Sequence, residues 1–195
     1  MDKLILIDGN SLLNRAYYAM TVFSTKDGLP TNGIFGFVKL LFKILEDEHP
    51  KYLVVTFDVH EPTFRHKRYA GYKATLEKAG YEADDLIGTL SRKFPQTETL
   101  IYTGDRDSYQ LIDSHTSICM TKRGVSDLDR LTLSNFYQKE GITPEQVIDL
   151  KALMGDSSDN IPGVKGIGPK GALALLRQYG TLDGVYAHLN EISAS

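Results

Sequence analysis

The sequence predicts an α/β fold with a mostly parallel central sheet flanked by helices, followed by a C-terminal helical helix–hairpin–helix module. Four short apolar runs rich in β-branched residues are typical of buried parallel strands, at residues 4–7, 52–57, 99–103 and 117–120. Stretches with helical periodicity separate these runs, and alternating strands and helices favour a parallel sheet. The strand pattern stops after about residue 131, so we assign residues 1–131 to the α/β domain and 132–195 to the helical module.

Apolar residues at helical spacing predict the helices. Thr31 and Asn32 are candidate N-caps for a helix whose stripe consists of Ile34, Phe37, Val38, Leu41 and Leu45. A second stripe contains Leu86, Ile87 and Leu90. In the helical module, Thr143-Pro144-Glu145 opens a helix with proline in its first turn. After the turn-rich residues 161–170, a further helix carries Ala172, Leu175, Leu176 and Tyr179 on one face.

The composition is that of an ordinary globular protein, with 42% hydrophobic and 24% charged residues in a chain of 195. It excludes a disordered or collagen-like chain, and no apolar run approaches the roughly 18 residues of a membrane span. The apolar stretch near Met1 is too short for a signal peptide. A single cysteine, Cys119, excludes a disulfide framework, and we expect it to pack in the core. These features favour a cytoplasmic protein.

Acidic residues follow three of the predicted strands. Asp8 ends the first strand, Asp58 follows the second, and Asp105 and Asp107 follow the third. The carboxyl ends of parallel strands meet at one edge of the sheet, where ligands usually bind, so these acids are expected to converge. A single aspartate at such a place suits an ordinary loop or cap, whereas acids at three equivalent places indicate a site.

Two more acidic clusters lie further along the chain. Glu82, Asp84 and Asp85 could instead complement a helix dipole, and Asp156 and Asp159 could serve a turn. If all nine carboxylates converge, they raise one another's pKa values, and divalent cations would relieve the repulsion. Oxygen ligands without His or Cys favour Mg²⁺ or Mn²⁺, and an acidic site with two such ions is the arrangement that cleaves phosphodiesters.

The net charge of −3 argues weakly against a nucleic-acid partner, but the rest of the chain is basic once those nine acids are set aside. A candidate nucleic-acid contact interleaves cations with aromatic residues, although a solvated charge run is the alternative. Its members are Arg65, His66, Lys67, Arg68 and Lys73, beside Phe64, Tyr69 and Tyr72.

Residues 161–170 form a predicted hairpin rich in glycine and proline. Gly166, Gly168 and Gly171 match the dinucleotide pattern GxGxxG, but no strand precedes them, as that pattern requires. A helix–hairpin–helix fits better than a plain loop, because its glycines let backbone N–H groups approach a DNA phosphate. Lys165 and Lys170 would add positive charge, and such a contact holds DNA without reading its sequence.

Together these motifs resemble the 5′-nuclease (flap endonuclease) superfamily, and most closely the 5′→3′ exonuclease domain of bacterial DNA polymerase I. The matching segments occur in family order across nearly the whole chain, at residues 6–11, 56–58, 64–65, 72–73, 81–85, 103–107 and 154–164. The resemblance implies a bacterial, nucleoid-associated, Mg²⁺-dependent nuclease that removes 5′ flaps and RNA primers from branched DNA in replication and repair. It leaves open a stand-alone nuclease or a polymerase domain in the same chain.

The resemblance also implies roles for individual residues. One metal ion would lie with Asp8, Asp58, Glu82, Asp84 and Asp85, and a second with Asp105, Asp107, Asp156 and Asp159. Lys73 would help neutralise the scissile phosphate, Arg65 would contact a phosphate, and Tyr72 would stack on a base near the cut. The hairpin would hold duplex DNA, and in relatives it can carry a K⁺ ion; its candidate contacts are Gly163, Lys165, Gly166, Gly168 and Lys170.

The sequence departs from the family between Lys73 and Glu82. Only eight residues separate them, where relatives have several dozen that form a helical arch for the 5′ strand. The arch is therefore missing between about residues 75 and 76, either by deletion or because the sequence omits residues of the protein, and the intact flanks favour omission. Threading of the 5′ end depends on this segment, and metal binding does not.

Three other functions compete with an active nuclease. A catalytically silent flap-DNA-binding module is the main alternative, although all nine acids are present. A PIN-type RNase also gathers acids at a strand edge, but the hairpin argues against it. A phosphatase with Asp105 or Asp107 as nucleophile would leave the other acids unexplained.

Overall fold

The computed structural model describes residues 1–58, 80–122 and 127–192, which divide between two compact units. Within those ranges, residues 1–58, 81–122 and 127–133 form the first unit. Residues 134–192 belong to the second unit.

The described part of the first unit is built on a five-stranded sheet. Its strands are ordered β2-β1-β3-β4-β5, with β1–β4 parallel and β5 antiparallel to β4. They are β1 (Lys3–Asp8), β2 (Tyr52–Thr56), β3 (Glu98–Thr103), β4 (Thr116–Thr121) and β5 (Leu128–Leu131). The predicted α/β fold is confirmed, and each of the four predicted strands matches an observed strand to within one residue at either end.

The fifth strand, β5, is not among the predicted strands. It has four residues, two of them charged, and so lacks the continuous apolar run that marks the other strands. Backbone pairing with β4 defines it instead, from Ile118 opposite Leu131 to Thr121 opposite Leu128. Two partly exposed ion pairs accompany this pairing: Arg130 with Glu98 of β3 at 2.7 Å, and Asp129 with Lys122 at 2.9 Å. A strand held by such contacts cannot be found from local hydrophobicity.

Helices α1 (Gly9–Ala19), α2 (Asn32–Glu48) and α3 (Ala83–Lys93) complete the first unit with a 3₁₀ helix at Arg106–Leu111. The core contains buried residues from β1, β3, β4, α1 and α2: Ile5, Ile7, Leu12, Ala16, Leu40, Ile44, Leu100, Tyr102 and Cys119. The expected core position of Cys119 is confirmed, and burial raises the pKa of its thiol to about 11. The thiol is therefore un-ionised and unreactive at neutral pH.

The buried face of α2 matches the predicted stripe only in part, since Phe37 and Leu41 pack against the core and the other three members are exposed. Three stripe residues are 57%, 38% and 39% exposed, namely Ile34, Val38 and Leu45. The buried residues of this helix are instead Asn32, Gly33, Gly36, Leu40 and Ile44. Because α2 is apolar on most sides, periodicity does not select its face. Contact with α1 does, since a Cβ on Gly36 would lie 2.9 Å from the Cβ of Ala16. In α3, similarly, Ile87 is buried and Leu86 is 45% exposed.

The two candidate caps of α2 have different roles. Thr31 occupies the N-cap position, but its side chain makes no capping hydrogen bond. Asn32 is fully buried, and its Nδ2 donates to the backbone oxygen of Tyr17 at 2.7 Å. Tyr17 lies in the last turn of α1, where carbonyls have no partner within the helix. Asn32 therefore ties the end of α1 to the start of α2.

The described part of the second unit is helical. It contains most of α4 (Leu133–Glu140), then α5 (Gln146–Met154), α6 (Pro169–Tyr179), α7 (Leu182–Ala187) and a 3₁₀ turn at Leu189–Glu191. A small core of Leu153, Ala172 and Leu176 joins α5 to α6. The helix expected at Thr143 begins at Gln146, because residues 143–145 form a turn in which Gln146 N–H donates to the Thr143 oxygen at 3.1 Å. Within the described ranges, no helix has both the length and the hydropathy needed to cross a lipid bilayer.

We expect Gly36→Ala to lower the free energy of unfolding by about 1–3 kcal/mol, because the added Cβ would crowd Ala16 and the sulfur of Met20. Urea denaturation followed by circular dichroism measures the change. Gly88→Ala in α3 is the matched control, since its Cβ would lie 3.5 Å from Leu111 in ordinary contact. The control should gain up to about 1 kcal/mol from helix propensity. Equal effects of the two substitutions would contradict the close contact between α1 and α2.

Candidate active site

The carboxyl ends of β1, β2 and β3 bring acidic residues to one edge of the sheet. Asp8 is the last residue of β1 and pairs in register with Thr56, the last residue of β2. Asp58 follows two residues later. On the other side of β1, Ile7 pairs with Tyr102, so β3 ends at the same level, just before Asp105. Three successive strands of the sheet order therefore deliver a carboxylate to one edge.

Asp8 is the buried acid of this edge, with 5% of its surface exposed. Its Oδ1 accepts a hydrogen bond from the Ser11 N–H at 3.0 Å, and this contact caps α1. Its Oδ2 accepts from the Thr103 hydroxyl at 2.8 Å. Burial raises the pKa of Asp8, and the negative charges of Asp58 and Asp105 raise it further, although the two hydrogen bonds partly oppose this shift. A nearby cation would therefore stabilise the ionised form.

Asp58 connects the edge to the start of α3. Its Oδ1 accepts from the Ala83 N–H at 2.7 Å, and its Oδ2 accepts from Asn10 Nδ2 at 3.2 Å. Ala83 is the first residue of α3, so its N–H is one of the helix donors that lack a partner within the helix. Asp58 thus holds the N-terminus of α3 beside the first turn of α1.

The acidic cluster at the start of α3 has a structural role as well. Glu82 occupies the N-cap position, and Asp84 and Asp85 lie in the first turn. The Asp85 Oδ2 accepts from the Glu82 N–H at 2.9 Å, which forms part of a capping box. All three side chains are partly exposed. The helix-dipole interpretation therefore applies to Asp85, and the positive end of the dipole also favours the charges of its neighbours.

Asp105 and Asp107 lie at the start of the 3₁₀ helix after β3. The Asp105 Oδ1 accepts from the Asp107 N–H at 2.9 Å, and the Asp105 N–H donates to the Thr103 hydroxyl at 3.0 Å. Asp105 is exposed and Asp107 is half-buried. The carboxylate of Asp105 thus caps the turn that positions Asp107.

Four polar residues that hold this edge together are absent from the predicted site. Asn10 and Thr103 contact Asp58 and Asp8 as described, and the Ser11 Oγ accepts from the Gly104 N–H at 2.9 Å. Arg15 donates to the Lys122 carbonyl at 2.9 Å and places positive charge beside the same glycine. Asn10, Ser11 and Thr103 lie within three residues of a site acid, which is a weak sequence signal because Asn and Ser after a strand also suit a plain helix cap. Arg15 has no such signal.

Asp156 and Asp159 lie in the second unit, in the loop after α5. The Asp156 carboxylate pairs with Lys151 and accepts hydrogen bonds from the Ser158 side chain and, at 2.8 Å, the Ser158 N–H. Burial opposes ionisation of Asp156, but these partners outweigh it and hold the pKa of the carboxyl well below its usual range. Asp156 also forms an antiparallel bridge with Ile161, which closes the loop at 2.8 and 2.9 Å.

The predicted hairpin follows that loop and leads into α6. Val164 N–H donates to the Leu153 oxygen at 2.8 Å, and this pairing brings the Gly163 backbone against Met154 and Gly155, where no Cβ would fit. Gly166 turns the chain with φ +87°, a conformation that favours glycine. The hairpin residues proposed to contact DNA are all exposed: Gly163, Lys165, Gly166, Gly168 and Lys170.

Gly168 is the N-cap of α6 and Pro169 is its first residue. The next N–H groups, of Lys170 and Gly171, have no acceptor within the helix because they lie in its first turn. Among the described residues, and apart from chain neighbours and the backbone of α6 itself, no heavy atom lies within 4 Å of a Cβ placed on Gly168, and a Cβ on Gly171 would meet just the Ile167 Cγ2 at 3.7 Å. A phosphate oxygen could therefore approach this backbone closely. Three further predicted site residues, Arg65, Tyr72 and Lys73, lie outside the described residues.

Two family models match the chain. One is described as 5′-3′ exonuclease, N-terminal resolvase-like domain, and it matches residues 3–78 and 74–141 in two segments. The other is described as 5′-3′ exonuclease, C-terminal SAM fold, and it matches residues 142–195.

Curated relatives and solved structures agree with these matches. DNA polymerase I of Bacillus caldotenax is 41% identical over 218 residues, which covers 97% of this chain and 25% of that protein. The chain therefore spans about a quarter of the length of the curated relatives it matches. A bacteriophage T5 5′-exonuclease with bound zinc has a TM-score of 0.79 at 20% identity, over 99% of this chain and 81% of that one. A T5 flap endonuclease complex with DNA and metal ions has a TM-score of 0.78 at 19% identity, with the same coverage.

We expect Asp8→Asn to stabilise the metal-free protein at pH 7–8. The folded-state pKa of Asp8 lies above its ordinary value of 3.8, so the carboxyl lowers stability as the pH rises through that value towards the folded pKa. In EDTA the Tm should rise by about 2–4 °C, the change that roughly 1 kcal/mol produces in a chain of this size. The gain should disappear below about pH 3.8, where both side chains are neutral.

Asp113→Asn is the control for this experiment. Asp113 accepts from the N–H groups of His115 and Thr116 at 2.8 and 2.7 Å, so loss of its charge should lower the Tm at neutral pH. A lower Tm for Asp8→Asn at pH 8 would show that burial of the Asp8 charge is not unfavourable.

Proposed function

Because the chain belongs to the 5′-3′ exonuclease family, we propose that it is a metal-dependent, structure-specific 5′ nuclease. It hydrolyses phosphodiester bonds at 5′ flaps or 5′ ends of DNA, and it removes RNA primers, in DNA replication and repair. The observation that carries this proposal is the convergence of Asp8, Asp58 and Asp105 at one sheet edge. Burial and the acidic neighbours raise the pKa of the Asp8 carboxyl there.

The residues at this edge fit a hard divalent cation. Their side chains offer carboxylate oxygens, and the charge on the buried Asp8 is disfavoured without a cation. We propose that two Mg²⁺ or Mn²⁺ ions bind the acidic residues, which are Asp8, Asp58, Glu82, Asp84, Asp85, Asp105 and Asp107, with Asp156 and Asp159 as further ligands. Metal ions held by these carboxylates would supply a bound water of lowered pKa as the nucleophile and positive charge beside the departing oxygen.

The chain's own residues orient the carboxylates for this chemistry. Ser11 and Thr103 each donate to one oxygen of Asp8, and Ala83 and Asn10 each donate to one oxygen of Asp58. Acids held by fixed donors keep their geometry when substrate arrives, so little reorganisation accompanies the reaction. By family resemblance, Lys73 and Arg65 neutralise the scissile phosphate and Tyr72 stacks on a base; these roles are part of the proposal.

The hairpin is proposed to hold the duplex part of the substrate. Lys165 and Lys170 flank the turn at Gly166, and the first turn of α6 presents backbone donors. Such contacts are electrostatic and independent of sequence, as a nuclease that recognises DNA structure requires. A K⁺ ion at the hairpin is proposed from the family resemblance. The relatives are about four times longer than this chain, so a polymerase domain in the same polypeptide, acting at the cytoplasmic nucleoid, is the proposed setting.

The hairpin proposal predicts weaker and less salt-dependent binding after removal of its charges. Lys165→Ala with Lys170→Ala should reduce affinity for a labelled duplex with a 5′ flap, and the slope of log K against log salt should become shallower by about 1.8 for two lost phosphate contacts. Fluorescence anisotropy in EDTA, at salt concentrations between about 50 and 200 mM, measures the affinity and its salt dependence. Lys43→Ala, which breaks an exposed ion pair with Asp47, is the control and should change neither. An unchanged slope in the double variant would exclude the hairpin from phosphate contact.

The catalytic proposal predicts cleavage of a labelled double-flap DNA near the junction with Mg²⁺ and none with EDTA. Asp105→Ala should lower the rate by roughly 1,000-fold or more, since loss of a metal ligand removes several kcal/mol of transition-state stabilisation. Its DNA binding should survive. Asp47→Ala, an exposed acid of α2, should cleave like the unmodified chain.

Two results would contradict the catalytic proposal. Retained cleavage by Asp105→Ala would overturn the metal assignment. Binding without cleavage by a longer, intact chain would favour a silent flap-binding module. The same result on protein whose mass is the 21.7 kDa of the sequence would instead show that the missing arch is needed for incision.

A further inference from the structure

The hydroxyl of Thr103 contacts the Asp8 carboxylate at the end of β1 and the Asp105 backbone just after β3. Thr103 is the last residue of β3 and has no exposed surface. Its hydroxyl donates to the Asp8 Oδ2 at 2.8 Å and accepts from the backbone N–H of Asp105 at 3.0 Å. One buried group therefore links the carboxylate at the end of β1 to the backbone that carries the first acid after β3.

The direction of these two hydrogen bonds is determined by their partners. A backbone N–H can only donate, so the hydroxyl must accept from Asp105. An ionised carboxylate can only accept, so the single hydroxyl proton must point at Asp8. Neither bond can reverse while Asp8 is ionised, and a charge-assisted bond of this kind is stronger than a neutral one.

Ser11 completes the same link from α1. Its N–H donates to the Asp8 Oδ1 at 3.0 Å, and its Oγ accepts from the Gly104 N–H at 2.9 Å. Each oxygen of Asp8 thus has one donor, and two consecutive N–H groups after β3 each have one hydroxyl acceptor. The separation between Asp8 and Asp105 is defined by side chains that carry no charge.

We propose that Thr103 is a positioning residue of the proposed metal site, whose hydroxyl fixes the Asp8 carboxylate relative to the backbone of Asp105. This inference rests on the proposed function and adds a residue to it. A hydroxyl that orients a ligand acts through that ligand, and loss of such partners typically weakens metal binding by about 10- to 100-fold.

Another threonine of the same strand shows that the hydroxyl of Thr103 is not explained by strand propensity. Thr99 of β3 is also fully buried, and its hydroxyl has no hydrogen-bond partner among the residues that the structure describes. A buried hydroxyl without a partner is unfavourable, so Thr99→Val removes a group that bonds to nothing. It is therefore a matched control for the isosteric change Thr103→Val.

The test measures Mn²⁺ binding to the full chain by electron paramagnetic resonance, without DNA, together with the Mg²⁺ dependence of flap cleavage. Thr103→Val should weaken Mn²⁺ binding by about 10-fold or more and raise the half-saturating Mg²⁺ concentration in parallel. Thr103→Ser retains the hydroxyl. Its Mn²⁺ affinity and its half-saturating Mg²⁺ concentration should therefore lie within about threefold of those of the unmodified chain. Thr99→Val should leave both unchanged.

Each outcome decides the proposal. Equal Mn²⁺ affinity of Thr103→Val and the unmodified chain would overturn the role of Thr103, and so would equally weak binding by Thr103→Ser. If Thr103→Val does not fold, Thr103→Ser and Thr103→Ala form the deciding pair, because both lose the methyl group and only serine keeps the hydroxyl. An unmodified chain that binds no Mn²⁺ and cleaves nothing would overturn the proposed function, and the role of Thr103 with it.

Discussion

The carboxylate of Asp8 lies where burial opposes its charge, at the end of β1 and between two strands that end beside other acids. The hydrogen bonds that this carboxylate needs constrain the elements around it. Both of its oxygens need donors, and these come from α1 and β3. The chain must therefore leave β1 directly into a helix, and β3 must end in a residue with a hydroxyl. The need for a donor to each Asp8 oxygen thus involves the strand register, the start of α1 and the turn after β3.

The sheet could be predicted from the sequence because each of its first four strands contains a short apolar run, and β1, β3 and β4 are almost entirely buried. That property is local, so composition over five or six residues reveals it. The face of α2 could not be predicted, because a helix with apolar residues on most sides has no unique stripe. Its orientation depends on Gly36 meeting Ala16, a fact about two helices. β5 depends in the same way on its backbone pairing with β4, which its own four residues do not reveal.

The convergence of Asp8, Asp58 and Asp105 at one sheet edge could be predicted because parallel strands place their carboxyl ends together, and charge at three such ends is uncommon. The residues that hydrogen-bond to these acids could not be predicted. Thr103 looks like an ordinary strand residue, and nothing in the sequence separates it from Thr99, although the hydroxyl of one contacts two acidic residues and that of the other contacts none in the described structure. Lys151 is equally inconspicuous, yet its pairing with Asp156 helps to keep the pKa of that carboxyl low. Acidic residues can be recognised in a sequence by their residue type, whereas the residues that bond to them can be recognised only from their positions in the folded structure.

The strand order has a consequence for how the chain folds. β1 precedes both of its neighbours in the sequence, and its partner β3 begins only at Glu98, which pairs with Lys3. Pairings between such distant residues slow folding, because a long loop must close before the contact stabilises it. During synthesis on the ribosome, the apolar β1 is therefore complete long before β3 can cover it. Until then it is an exposed β-forming segment, of the kind that chaperones bind and that aggregation recruits.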